Sequence, residues 1–177
     1  KQFRLMYGAP RSEEDLEFYA SAVRNNITVL LKKLLPLVVS LELEGKFQRN
    51  ERVAYNKILN TTSGVTSESS VIDDAAIPVT LKKEIQTLFQ SKAWESVWAN
   101  RATVNAIDSH RLFIDELEAI AAPDYVPTAQ HILRARIRTT NAVHEEYDIG
   151  GRRFEIYDVG GQWSERKKWL PLFDEVT

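Results

Sequence analysis

Residues 157–169 of the chain read YDVGGQWSERKKW, and this stretch decides how we interpret the C-terminal part. A strand-like run ends in Asp158, two glycines and Gln162, and a segment dense in basic and aromatic residues follows. An aspartate at the end of a strand can hold a hydrated magnesium ion. The glycines let the backbone approach a phosphate and offer it an N–H group, and the glutamine can hold a water in line with that phosphate. The order of residues therefore indicates a surface that senses a phosphate.

Upstream residues supply the other parts of such a site. The segment RARIRTT, residues 134–140, places three arginines beside Thr139 and Thr140. A threonine hydroxyl can ligate magnesium, and an arginine can neutralise the charge that develops on a transferring phosphoryl group. Arginine, threonine, aspartate, glycine and glutamine together are the parts of a phosphoryl-transfer site that detects the terminal phosphate.

Composition narrows the remaining function classes. The chain of 177 residues has no cysteine, which excludes a disulfide framework, a thiolate metal site and a cysteine nucleophile. Its net charge of −2 gives no overall preference for nucleic acid or anionic membranes. The longest apolar run is interrupted by Lys32, Lys33 and Pro36, so no membrane-spanning helix is predicted. The first residues lack the pattern of a signal peptide, and we expect an intracellular protein.

The first two thirds of the chain carry a helical pattern, from about Ser12 to Pro127. Ser12 and Asp15 resemble a helix-start capping box. An apolar stripe follows at three- and four-residue steps, formed by Leu16, Tyr19, Val23, Ile27, Leu30, Leu34 and Val38. Pro36 should kink or break this helix. Further helices are predicted at about 50–60, from about 80 and at 109–120, with a loop at 61–70, which indicates a small all-helical domain.

From about Ile132 the pattern shifts towards strands and glycine. Residues 144–159 form two strand-like runs around Gly150 and Gly151, which predicts a hairpin whose turn requires positive φ at both positions. Asp158 should end the second strand. A short amphipathic helix is predicted at 164–173, limited by Pro171. The predicted fold class is mainly α with a small β part.

At these motifs the chain resembles the α-subunits of heterotrimeric G proteins. DVGGQ with SERKKW is similar to the family's second switch, ILRARIRTT (132–140) to its first switch, and APDYVPT (122–128) to the segment that leads into it. KQFRLMYG (1–8) resembles the end of the helix after the phosphate-binding loop. The resemblance implies an all-helical insertion domain at 9–130 and a partial Ras-like α/β GTPase domain at 131–177.

The resemblance also implies a role for each matching residue. Arg136 and Gln162 correspond to catalytic residues, and Thr139 and Asp158 to magnesium ligands. Gly161 corresponds to an N–H donor to the γ-phosphate. The implied nucleotide-binding set is Asp108, Ser109, Leu133, Arg134, Ala135, Arg136, Ile137, Arg138, Thr139, Asp158, Val159, Gly160, Gly161 and Gln162.

Cofactors and partners follow from the same resemblance. It implies GTP or GDP with Mg²⁺, a βγ dimer, a G-protein-coupled receptor, a downstream effector and regulators of GTP hydrolysis. It places the intact protein at the cytoplasmic face of the plasma membrane. Trp163, Asn141 and Pro171 depart from the family pattern, and we expect them to affect partner binding more than hydrolysis.

Two nucleotide-binding motifs do not occur in these 177 residues, namely G-x-x-x-x-G-K-[ST] and N-K-x-D. We therefore expect the chain to be an internal segment of a GTPase. Without the backbone N–H groups and the lysine of the first motif, the isolated segment should not hold GTP tightly.

The sequence leaves other functions and other structural roles open for these residues. The chain could be a non-catalytic protein-interaction module in which Trp163 marks a degenerate switch. A basic surface built from 134–138, 152–153 and 166–168 could bind RNA or anionic lipid, but acidic residues interleave with these bases, and no nucleic-acid partner is expected. Asp108 and Ser109 could form only a helix cap, and the arginines could be a solvated strand face. Ordinary core residues are the alternative for Trp163, Trp169, Leu170 and Phe173. The three histidines are too scattered for a metal site.

Overall fold

The structure, a computed structural model, describes residues 1–8, 10–63, 71–137, 143–161, 163, 166 and 169, with the backbone alone at 3 and 71–74. Contacts divide the chain into two compact units. The helical unit is Arg11–Arg136, and the hairpin unit is Lys1–Pro10 with Ile137–Thr177. Within the described part the fold is mainly helical with one two-stranded sheet, which confirms the predicted fold class.

Helices follow one another along most of the chain. In chain order they are α1 Gln2–Tyr7, α2 Glu13–Ser40, α3 Arg49–Ser63, α4 Val71–Thr80, α5 Lys82–Phe89, α6 Lys92–Ala99, α7 Arg111–Asp115, α8 Leu117–Ile120 and α9 Ala129–Arg134. Short 3₁₀ turns lie at Glu44–Lys46, Arg101–Val104 and Asp108–His110. None of the helices in the described residues combines the length and the apolar character that a membrane crossing needs.

Helix α2 forms the centre of the helical unit. Its start is the predicted one, because the Ser12 hydroxyl accepts a hydrogen bond of 3.1 Å from the Asp15 backbone N–H. The predicted apolar stripe is buried from Tyr19 to Val38, with Leu16 half-buried. α2 packs against α3, α4, α6, α7, α8 and α9. Burial of this long apolar face against six helices is the main contribution to the stability of the helical unit.

Of the kink or break predicted at Pro36, the break is wrong, since α2 continues to Ser40. Proline removes one backbone hydrogen bond and crowds the preceding turn. Here the flanking residues Leu34, Leu35, Leu37 and Val38 are all buried in the core. Their packing holds the last turn of the helix despite the missing bond.

The helices differ from the sequence prediction in several places. The predicted helix at 109–120 is two short helices, α7 and α8, interrupted at Glu116. α4, which contains Pro78, was not predicted. Residues 132–134 belong to α9 rather than to strand-like backbone, because the Thr128 hydroxyl caps that helix. Residues 61–63 end α3, while the rest of the predicted loop lies outside the described residues.

The hairpin is the predicted one. Strand β1, Val143–Ile149, pairs antiparallel with β2, Arg152–Asp158, and Val143 lies opposite Asp158. Gly150 and Gly151 have φ of 61° and 75°, so both occupy the left-handed region that glycine tolerates. α1 contacts β1 within the hairpin unit. Apart from residues 166 and 169, the predicted helix at 164–173 lies outside the described residues.

Candidate functional site

The backbone of Arg136 is held by a side chain from α2. The buried Asn26 amide receives a 2.5 Å hydrogen bond from the Arg136 N–H through Oδ1, and donates a 2.9 Å bond from Nδ2 to the Arg136 carbonyl. The arginine side chain itself is exposed. Both backbone polar groups of Arg136 are therefore satisfied by one residue, and its guanidinium remains accessible.

The residues before Arg136 are anchored in the core. Ala135 is buried, and its N–H donates to the His131 carbonyl at 2.8 Å. The imidazole of His131 is buried between the Tyr125 hydroxyl, 2.7 Å from Nδ1, and a Glu116 carboxylate oxygen, 3.0 Å from Nε2. Leu133 and Arg134 lie on the exposed side of α9. Its buried methyl group and its hydrogen bond to His131 fix Ala135, the residue that precedes Arg136.

Asp108 and Ser109 form part of a 3₁₀ turn that packs against α2. Neither side chain caps that turn or the following helix, so the interpretation of this pair as a helix cap is wrong. Instead, the Asp108 carboxylate accepts a hydrogen bond from Arg101 Nε, and this bond lowers the Asp108 pKa. The carboxylate remains largely exposed, and Ser109 is half-buried.

His110, the next residue, lies close enough to Arg136 to sense its charge. The imidazole is only 3% exposed and stacks on Phe113 at 5.3 Å. Its Nε2 has no hydrogen-bond partner among the described residues. Burial, followed by the positive charges of Arg136 and Lys33, lowers the pKa of His110 to about 4. The helical unit thus brings the Asp108–His110 turn and Arg136 into one neighbourhood and keeps the histidine there neutral.

The depressed pKa of His110 predicts a stability loss on mild acidification. The unfolded chain takes up a proton near pH 6.5, whereas the folded protein stays neutral at this residue until about pH 4. The unfolded state therefore binds more protons throughout this window, and the free energy of unfolding must fall as the pH falls. Between pH 6.5 and pH 5 we expect His110 to account for a loss of about 1.5 kcal/mol.

Urea unfolding of wild type and His110→Leu at both pH values measures this loss. Between pH 6.5 and pH 5, the free energy of unfolding of the variant should fall by about 1.5 kcal/mol less than that of wild type. Phe47→Leu is the matched control, because it removes a buried ring that packs on Tyr55 rather than on His110, and it should lower stability equally at both pH values. A His110→Leu protein with the wild-type pH dependence contradicts the prediction.

The DVGG stretch closes strand β2 in the hairpin unit. Asp158 is the last residue of the strand and is exposed, Val159 is half-buried and Gly160 is buried. Gly161 is exposed, and no described atom lies within 4 Å of where a Cβ on it would stand. An exposed carboxylate beside an unobstructed backbone suits a hard cation and an anionic ligand.

The tryptophans after this stretch are not ordinary core. Trp163 is 81% exposed, and the Arg166 guanidinium lies over its ring, 5.2 Å from the centroid. Trp169 is half-buried, and its indole N–H donates a 3.1 Å hydrogen bond to the Gly160 carbonyl. Arg166 also lies over the Trp169 ring at 5.6 Å. The basic-aromatic segment is thus connected directly to the DVGG stretch.

Several predicted site residues remain without structural description. Arg138, Thr139 and Gln162 lie outside the described residues, and Ile137, which begins the hairpin unit's second segment, is half-buried. Conversely, sequence reasoning missed Asn26. The available signal was a polar residue on the apolar face of α2, next to Ile27 and one turn from Val23 and Leu30.

One potential metal-binding cluster outside the predicted site lies on the hairpin. Ligand atoms of His144, Glu146 and Glu155 are within 4.8 Å of one another. Arg153 already pairs with Glu146 at 2.5 Å and approaches Glu155 at 4.0 Å. His144 stacks on Tyr157, its cross-strand partner. These groups satisfy one another, and we assign no metal to them.

Comparison with known proteins adds evidence from the whole chain. A family model described as "G-protein alpha subunit" matches residues 1–177. "Guanine nucleotide-binding protein alpha-1 subunit" of Neurospora crassa is 29% identical over 177 residues, which is 100% of this chain and 48% of the relative. "Guanine nucleotide-binding protein subunit alpha" of Emericella nidulans is 30% identical with the same coverage of both chains. The chain therefore spans about half the length of the curated relatives that it matches.

Proposed function

The chain belongs to the G-protein alpha subunit family, and on that premise we propose that the protein is a guanine-nucleotide switch that hydrolyses GTP to GDP. The observation that carries the proposal is the end of β2. There, an exposed Asp158 is followed by an exposed Gly161 with no described atom within 4 Å of its Cβ position. These features suit detection of a terminal phosphate with its cation.

Each residue of the site has a proposed role. Arg136 stabilises charge on the phosphoryl group during transfer, and Gln162 orients the attacking water. Thr139 and Asp158 hold Mg²⁺, which when bound supplies neutralisation of the phosphate charge. The Gly161 N–H donates to the γ-phosphate. Asp108, Ser109 and residues 133–138 line the nucleotide, with Val159 and Gly160 completing the turn beside it.

Switching would reach the surface through Trp169. Its hydrogen bond to Gly160 ties the basic-aromatic segment to the residue next to the proposed phosphate donor. Loss of the γ-phosphate would release Gly161 and with it this contact. We propose that the exposed aromatic and basic side chains there bind a βγ dimer in one nucleotide state and an effector in the other. A receptor and regulators of hydrolysis would act on the same protein at the cytoplasmic face of the plasma membrane.

A non-catalytic interaction module is the second candidate. The exposed Trp163, covered on one side by Arg166, favours it, because an exposed aromatic with a charged rim is typical of a protein interface. Such a module would present this surface permanently. The two candidates therefore differ in whether the surface responds to nucleotide.

Tryptophan fluorescence of the full-length protein tests the switch. Adding Mg²⁺ and a non-hydrolysable GTP analogue should raise the emission. Binding of Gly161 to the phosphate should order the neighbouring Trp169 and exclude water from its ring. The Trp169→Phe variant should lose most of this rise. Trp98→Phe, which removes a half-buried tryptophan of the helical unit, is the matched control and should keep it.

Nucleotide binding is measured separately, with a radiolabelled analogue on filters. A protein that binds the analogue without any change in emission would favour the permanent interaction surface. A protein that does not bind guanine nucleotide at all would overturn the proposed function.

A further inference from the structure

A buried asparagine on an apolar helix face requires an explanation. Asn26 is 4% exposed, and its α2 neighbours Val23, Ile27 and Leu30 are core residues. An amide in such surroundings destabilises the fold unless its polar groups are paired. Asn26 achieves this pairing with the two backbone groups of Arg136, a residue 110 positions away in sequence.

These two hydrogen bonds hold one residue at both of its backbone polar groups. The Asn26 amide mimics the hydrogen-bonding edge of a strand, with its acceptor on the Arg136 N–H and its donor on the Arg136 carbonyl. The preceding residue, Ala135, is fixed by its burial and by its bond to His131. The main chain is therefore constrained up to the point from which the exposed Arg136 side chain leaves it.

We propose that Asn26 is a positioning residue for Arg136, a role that rests on the proposed function. An arginine can stabilise a transition state only if its guanidinium is already close to the place where charge develops. A long flexible side chain on a mobile backbone loses entropy when it reaches that place. Asn26 removes the backbone part of this freedom in advance, although it touches neither nucleotide nor water itself.

The hydrolysis of preloaded GTP by the full-length protein tests the proposal. A single-turnover rate constant counts only molecules that hold nucleotide, so a partly unfolded variant does not distort it. Asn26→Ala should lower this rate constant about tenfold or more, while the affinity for GTP stays within about twofold of wild type. Asn26→Ser, whose hydroxyl can form one of the two bonds, should give an intermediate rate. It replaces Asn26→Ala in the comparison if the alanine variant does not fold.

Asn25 offers a matched control. It is the adjacent asparagine, and its Oδ1 has no hydrogen-bond partner among the described residues. Asn25→Ala should hydrolyse GTP at the wild-type rate. If Asn25→Ala and Asn26→Ala slow hydrolysis equally, the effect is a general one of α2 and the proposal is overturned.

A double-mutant cycle separates positioning from a general structural effect. In an Arg136→Ala background, Asn26→Ala should change the rate constant by less than about twofold, because the group that Asn26 positions is already gone. The same fold loss in both backgrounds would overturn the proposal. An Arg136→Ala protein with wild-type hydrolysis would instead refute the proposed role of Arg136, and the positioning role with it. A slow Arg136→Ala beside a normal Asn26→Ala would refute the positioning role alone.

Discussion

Replacing Arg136 with alanine should slow hydrolysis of bound GTP about 10³-fold or more, while GTP binding is retained. This magnitude is the one known for the built-in arginine of Gα proteins and does not come from the geometry of this chain. The physical reason is electrostatic, because a guanidinium held near the phosphoryl group stabilises charge that increases towards the transition state. Arg136 fits this role through an exposed side chain on a backbone that Asn26 holds in place.

Single-turnover hydrolysis and equilibrium binding of GTP by the full-length protein measure the two effects separately. Arg136→Lys should remain slow, because a lysine ammonium lacks the planar fork of donors that an arginine offers to phosphate oxygens. Arg52→Ala, which removes an exposed arginine of α3, is the control and should hydrolyse GTP normally. An Arg136→Ala rate within a few-fold of wild type would exclude this residue as the source of transition-state stabilisation.

Local patterns made the helical face and the hairpin predictable. The stripe on α2 follows the helical period, and every residue of it after Leu16 is buried. Gly150 and Gly151 predicted a turn that needs positive φ at both positions, and both have it. In each case the determining interactions lie within a few residues of one another, where a sequence can show them.

Features that depend on tertiary packing were not predictable in this way. Pro36 disrupts a helix locally, but core contacts of its neighbours outweigh the lost hydrogen bond. α9 is short and ends in an arginine-rich segment, and beyond its local Thr128 cap it depends on the burial of His131 and Ile132 in the core. Tertiary contacts decided both outcomes.

The residues of the candidate site show the same difference between local patterns and tertiary contacts. Arg136 and Asp158 could be proposed from the sequence because they lie in compact motifs. The partner of Arg136 was not found, since Asn26 lies 110 residues away and belongs to no motif. Its only local sign is polarity on an apolar face, which does not identify what it binds. Asp108 is a similar case, because nothing local showed whether it caps a helix or pairs with Arg101.

Replacing Gln162 with leucine should slow hydrolysis of bound GTP about 10²-fold or more, the order of loss expected when a reacting group is no longer held in position, with GTP affinity again retained. Leucine has nearly the volume of glutamine but no group that can orient a water. The variant therefore loses an interaction with the attacking nucleophile and keeps the contacts that hold the nucleotide, which is the signature of a group that acts only in the chemical step. Gln90→Leu, an exposed glutamine at the end of α5, is the matched control and should leave the rate unchanged.

The same variant connects hydrolysis to switching. If Trp169 emission reports the γ-phosphate through Gly160, the emission of GTP-loaded protein should decay at the hydrolysis rate. In Gln162→Leu this decay should slow by the same factor as phosphate release, because the phosphate remains on the protein for longer. Fluorescence that decays at the wild-type rate while hydrolysis is slow would mean that the Trp169 segment moves independently of the γ-phosphate. The proposed coupling between GTP hydrolysis and the Trp169 segment would then be wrong, while the catalytic roles of Arg136 and Gln162 would be unaffected.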